Sequence, residues 1–126
     1  MEITKKKNAR SLTKEMAQYL DQRKAEDVKI IDVRGICDIT DYMILATGRS
    51  TMHVVRTAHD LRGHFSDAGV HTLHREGVYK ESRWTVLDYG DLIVHICTRE
   101  ARMHYSLDEN WHGSKNVKWE KAHDQK

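Results

Sequence analysis

The stretch LDYGDLIVH, Leu87 to His95, carries residue types used in acid–base chemistry. Asp88 and Asp91 are three apart, Gly90 precedes the second acid, and His95 follows four residues later. Carboxylates and an imidazole can move protons or hold a metal when they converge. Spacing argues against convergence here. If the chain turns at Gly90, both acids flank the turn. His95 then lies on the same strand face as Asp91, but about 13 Å further along by rise alone. This predicts a structural or recognition role for the motif rather than a catalytic dyad.

Other chemistry-bearing stretches read the same way. TGRST, Thr47–Thr51, places a glycine and a serine between a strand and a helix, an arrangement that offers backbone N–H groups to a phosphate. Nucleotidyltransferases pair such a turn with two acids on the following strand to hold metal ions. Here the next acid, Asp60, stands alone on a helix. Gly48 as a turn and Ser50 as an N-cap is the plainer account. The nine histidines show no HExxH or paired CxxC spacing, so no metal or cofactor is expected. No GxSxG elbow supports a hydrolase. Cys37 and Cys97 read as reduced, buried thiols of a cytoplasmic protein.

The elements that must position these residues can be outlined from periodicity. The 126 residues suit one domain, with residues 11–111 forming it between basic tails at 1–10 and 112–126. Ser11 is placed to cap a helix to about Ala25, with Leu12, Met16, Tyr19 and Leu20 on one face. Strands are predicted from Val28 to Val33 and from Tyr42 to Ala46. Ser50 caps a second helix whose Val54, Ala58, Leu61 and Phe65 share a face, with Gly69 just beyond its end. A strand at 70–75 and a hairpin of Trp84–Asp88 with Leu92–Cys97 follow. Thr98 caps a last helix to about Leu107 or Trp111. After Gly113 the chain is expected to be poorly ordered. The fold class is α/β, a mixed sheet of about five strands with flanking helices.

Net charge is +2, but its distribution is uneven. Residues 1–10 carry +3 and residues 112–126 carry +2, so residues 11–111 carry −3. An acidic body does not read as a phosphate-binding surface and suits a basic protein partner, with tails that are either solvated ends or minor RNA contacts. No apolar run is long enough for a membrane helix, and no secretory signal is expected in MEITKKKNAR. Around the hairpin, Trp84, Tyr89 and Tyr105 combine with Asp88, Asp91, His95 and Arg102. Large aromatics in a polar setting serve either as interface anchors or as core filler, and the sequence leaves Trp84 and Tyr105 open between these.

Taken together, DVRGICDITDYMILATGRS, REG at Arg75–Gly77, WTVLDYGDLIVH and REARMHYSLDENW resemble the Iojap family, the ribosomal silencing factors. The likeness runs from about Lys24 to Trp111. It implies a nucleotidyltransferase-like fold without catalytic acids and a protein that is not an enzyme. It further implies binding to the large ribosomal subunit through ribosomal protein fourteen, which blocks joining of the small subunit and represses translation, with some relatives acting in large-subunit assembly. Some members form homodimers. Site residues implied for docking are Trp84, Leu87, Asp88, Tyr89, Asp91, His95, Arg102 and Tyr105. The chain departs from the family at His104 and Asn110, where apolar residues are usual, and in the extension that carries Trp119. A nucleotide-binding enzyme using Gly48–Ser50 is the alternative, and direct RNA binding by the tails a third.

Overall fold

A computed structural model describes residues 8–78, 81–111 and 113–120. The lysines at 5–7 and the chain end at 121–126, which carry most of the predicted tail charge, lie outside the described residues. Helix α1 (Ala9–Gln22) buries Leu12, Met16, Ala17 and Leu20, the face its periodicity predicts. It starts earlier than expected, because the cap is Asn8: its Oδ1 accepts the Ser11 N–H at 2.8 Å. Ser11 is therefore inside the first turn. Strands β1 (Glu26–Asp32) and β2 (Tyr42–Gly48) pair antiparallel, and every residue of β2 is buried. Helix α2 (Thr51–Asp67) is capped by the Ser50 hydroxyl, as predicted, and buries Val54, Ala58, Leu61 and Phe65.

Three short elements follow: β3 (His74–Glu76), β4 (Trp84–Asp88) and β5 (Leu92–Thr98). Thr98 caps α3 (Arg99–His104), whose end differs from expectation. Ser106 takes a left-handed φ of 51°, and a 3-10 turn at Leu107–Glu109 returns Leu107 to the core. A single long helix would have carried Leu107 away from the sheet.

The sheet has six strands in the order β3-β4-β5-β2-β1-β6. Only β2 and β5 run parallel, and they form its centre. The sixth strand, β6 (Lys115–Val117), corrects the expectation of disorder after Gly113. Val117 pairs with Ile30 and is buried, the Trp119 indole N–H donates to the Val28 carbonyl at 3.2 Å, and Gln18 Nε2 donates to the Trp119 carbonyl at 3.1 Å. The extension is thus part of the sheet and is tied to α1.

Both long helices pack on one face of the sheet. Ile30, Ile44, Leu87, Leu92, Val94 and Ile96 point into that core and are fully buried. The opposite face carries two smaller clusters. Ile31, Val33, Met43 and Ile93 are flanked by Cys37, Val86 and Trp111. Leu45 and Cys97 lie under Ala101 and Leu107, with Trp84 at the side.

Candidate docking surface

Strand alternation sorts the hairpin residues onto these two faces. Leu87 and Tyr89 point toward the helices, and neither has exposed surface. Both are among the expected docking residues, and here both side chains are buried. The reason lies in the turn. Tyr89 N–H donates to the Leu92 carbonyl at 2.9 Å, Gly90 N–H donates to Asp88 Oδ1 at 2.8 Å, and Gly90 takes a φ of +93° that a side chain would resist. The strand parity thus continues through Tyr89, two residues after Leu87, and drives its ring into the core. Its hydroxyl has no hydrogen-bond partner among the described residues, and burial pushes its pKa up.

The turn is also braced from β2. Thr40 Oγ1 donates to the Gly90 carbonyl at 2.9 Å, and the N–H groups of Asp41 and Tyr42 both reach the Asp91 carbonyl at 3.2 Å. The separated TDY and DYGD motifs are therefore two halves of one joint. Asp88 and Asp91 flank that joint, both half-buried, with one Asp88 oxygen committed to the turn.

Arg102, also among the expected docking residues, forms a structural latch. It is buried, with Nε and Nη2 on the two oxygens of Asp108 at 2.7 and 2.8 Å. Its Nη1 donates to the Asp27 carbonyl at 2.8 Å and to Thr47 Oγ1 at 2.9 Å. The guanidinium, with Lys29 at 2.9 Å, holds the Asp108 carboxyl well below the usual range. This latch ties α3 and the 3-10 turn to β1 and β2.

On the face away from the long helices, Trp84 pairs across the strands with Cys97, and Val86 with His95. The Trp84 indole N–H donates to His95 Nδ1 at 3.1 Å. An indole N–H only donates, so Nδ1 accepts and the neutral ring carries its proton on Nε2. Burial lowers the His95 pKa to about 4, which keeps that ring neutral at physiological pH. The Tyr105 ring lies 5.0 Å from Trp84, tilted 39°, and is 52% exposed. His104 meets Tyr105 edge to face at 4.8 Å, and Asn110 Nδ2 donates to the Tyr105 carbonyl at 3.4 Å. The two departures near the end of the chain thus brace Tyr105. The half-buried Trp84, Val86 and His95 together with Tyr105 form an aromatic surface, and the carboxylates of Asp88 and Asp91 stand at the end of the same hairpin.

The Gly48–Ser50 turn is occupied by its own chain. Arg49 N–H donates to His53 Nδ1 at 2.9 Å, and His53 N–H donates to Ser50 Oγ at 3.1 Å. A Cβ on Gly48 would lie 2.6 Å from Val54 Cγ2, so this glycine permits close packing of β2 on α2. Among the described residues no three His, Cys, Asp or Glu side chains are grouped to hold a metal, and no helix is long and apolar enough to cross a membrane. Cys97 is buried, with its thiol pushed up to about 11, and Cys37 is half-buried.

A family profile described as "Ribosomal silencing factor during starvation" matches residues 6–126. The chain belongs to the ribosomal silencing factor family. A ribosomal silencing factor of Haemophilus influenzae is 39% identical over 101 residues, covering 80% of this chain and 98% of that protein. One from Bacillus subtilis is 31% identical over 104 residues, covering 82% and 87%. A crystal structure of a protein from Chromobacterium violaceum superposes with a TM-score of 0.75 at 27% identity, covering 97% of this chain and 96% of that one. The silencing-factor match extends past Trp111 into β6, as the sheet does.

Proposed function

We propose that the chain acts by binding rather than by catalysis, as a translational repressor in the cytoplasm that docks on the large ribosomal subunit and blocks joining of the small one. Its contact is ribosomal protein fourteen. The observation that carries this reading is the open side of the sheet hairpin. There Trp84, His95 and Tyr105 form an aromatic patch that no long helix covers, on a domain whose residues 11–111 carry −3. Aromatic anchors with carboxylates beside them suit a basic ribosomal protein. His95 presents a neutral Nε2–H donor to that partner, held in its tautomer by Trp84.

The test is sedimentation with free large subunits, followed by a subunit-joining assay. Wild-type protein should travel with the large subunit and reduce joining. Trp84→Ala should travel with the large subunit in a much smaller fraction. Wild-type protein that stays at the top at low salt would defeat the proposal.

A further inference from the structure

Eight of the ten arginines of this chain bear on one groove or on an ion pair, and Arg10 and Arg83 stand apart from both. Arg23, Arg34, Arg49, Arg99 and Arg102 each have a carboxylate partner. Arg56, Arg62 and Arg75 have none among the described residues, although the domain has more acids than bases. The fold brings these three together. One wall of a groove is the outer ridge of α2, with Arg56, His59 and Arg62. The other is the segment leading through β3, with His71, His74 and Arg75. One part of the groove has a volume of about 790 Å³ and the next about 460 Å³, and both are lined by Arg62 and Arg75. Exposed Met52 and Val78 add apolar surface to the larger part. Asp60, already paired with Arg23, and Glu81 are its acids, so its four arginines leave a surplus of +2.

We infer that this groove is a binding site for a single strand of RNA, distinct from the hairpin surface and on the helix-covered side of the sheet. Arg56 and Arg62 are separated by about 9 Å of helix rise, and Arg75 faces them from the other wall. Charges strung along a groove suit a chain of phosphates better than one isolated anion. Guanidinium forks match phosphate oxygens, and the imidazoles of His59, His71 and His74 offer flat faces for unstacked bases. An acidic protein would need a broader apolar centre than Met52 and Val78 supply. The site refines the picture of an acidic body: the charge of residues 11–111 is negative in sum but positive within this groove.

The full chain would be titrated into a fluorescein-labelled single-stranded RNA of about 12 nucleotides and mixed sequence, with anisotropy as readout. Binding should weaken with salt at a log–log slope of about −2, from three phosphates neutralised. Replacing Arg56, Arg62 and Arg75 together by glutamine should weaken binding at least about tenfold and flatten that slope. The corresponding lysine triple variant, which keeps the charge, should retain the slope, and this separates loss of charge from loss of fold. Trp84→Ala and the glutamine variant of Lys5, Lys6 and Lys7 should bind RNA as the wild type does. Absence of wild-type binding at low salt would overturn the inference. So would loss in the tail variant with the arginine triple variant unaffected, tighter binding of the duplex form, or equal competition by polyglutamate. The assay contains no ribosomal protein, so its failure leaves the proposed docking untouched. Conversely, failure of Trp84→Ala to alter sedimentation leaves this groove untouched.

Discussion

Val86 and Leu87 are neighbours in the chain and sit on opposite sides of one sheet. Leu87 lies in the core on the side of the two long helices with no exposed surface, whereas Val86 is half-buried beside His95 on the face that carries α3, the 3-10 turn, Cys37 and Trp111. The helix side spends its residues on burial. The open side keeps aromatic and titratable groups near the surface, held by side-chain bonds such as that of Trp84 to His95. One strand therefore supplies stability with alternate residues and a recognition surface with the others. Substitutions should separate the two.

Leu87→Ala should cost about 3–4 kcal/mol of stability by leaving a cavity, and Val86→Ala about 1 kcal/mol or less. Urea unfolding of both variants measures the difference, and equal costs would break the distinction between the faces. The next largest effect is a pH dependence. The His95 imidazole titrates near 4 in the folded protein against an ordinary 6.5. Between those values the unfolded chain takes up a proton that the folded one refuses. This contribution is full above pH 6.5 and is lost as pH falls toward 4, by about 3 kcal/mol. Urea midpoints at pH 7 and 4.5 should therefore fall further apart for wild type than for His95→Asn, and equal separations would show that the ring is not desolvated.

Trp84→Ala should weaken docking on ribosomal protein fourteen by about 2 kcal/mol, or roughly 30-fold, when measured by calorimetry. It should cost less stability than Leu87→Ala. The smallest effect is expected at Tyr89. Its buried hydroxyl has no partner among the described residues, so Tyr89→Phe should leave stability unchanged or raise it by up to about 1 kcal/mol, with docking affinity unchanged. A loss of affinity in Tyr89→Phe would mean that the hydroxyl reaches the partner.

Local signals in the sequence reached far into this structure. Ser50 with Val54, Ala58, Leu61 and Phe65 marks α2 because a cap and a 3.6-residue stripe are contained within one element. The β4–β5 hairpin is legible for the same reason. Strand β6 was not, since three mostly polar residues become a strand only by pairing with Ile30, far away in the chain. The latch formed by Arg102 has no linear signature, because its partners at Asp27 and Thr47 come from 75 and 55 residues away. Tyr89 carried a usable signal that a turn residue disguised: it follows Leu87 by two and shares its face. The arginine groove had no linear signature, since Arg62 and Arg75 come from different elements.

The central claim is that the open face, and not the helix-covered one, meets the ribosomal partner. The most direct measurement is an NMR titration of labelled protein with purified ribosomal protein fourteen. Shifts should concentrate at the Trp84 indole, Val86, the His95 ring and Tyr105, with α1 and the core-facing Leu87 and Ile96 unmoved. Shifts confined to α1 and α2, with the Trp84 indole unchanged at saturation, would contradict it.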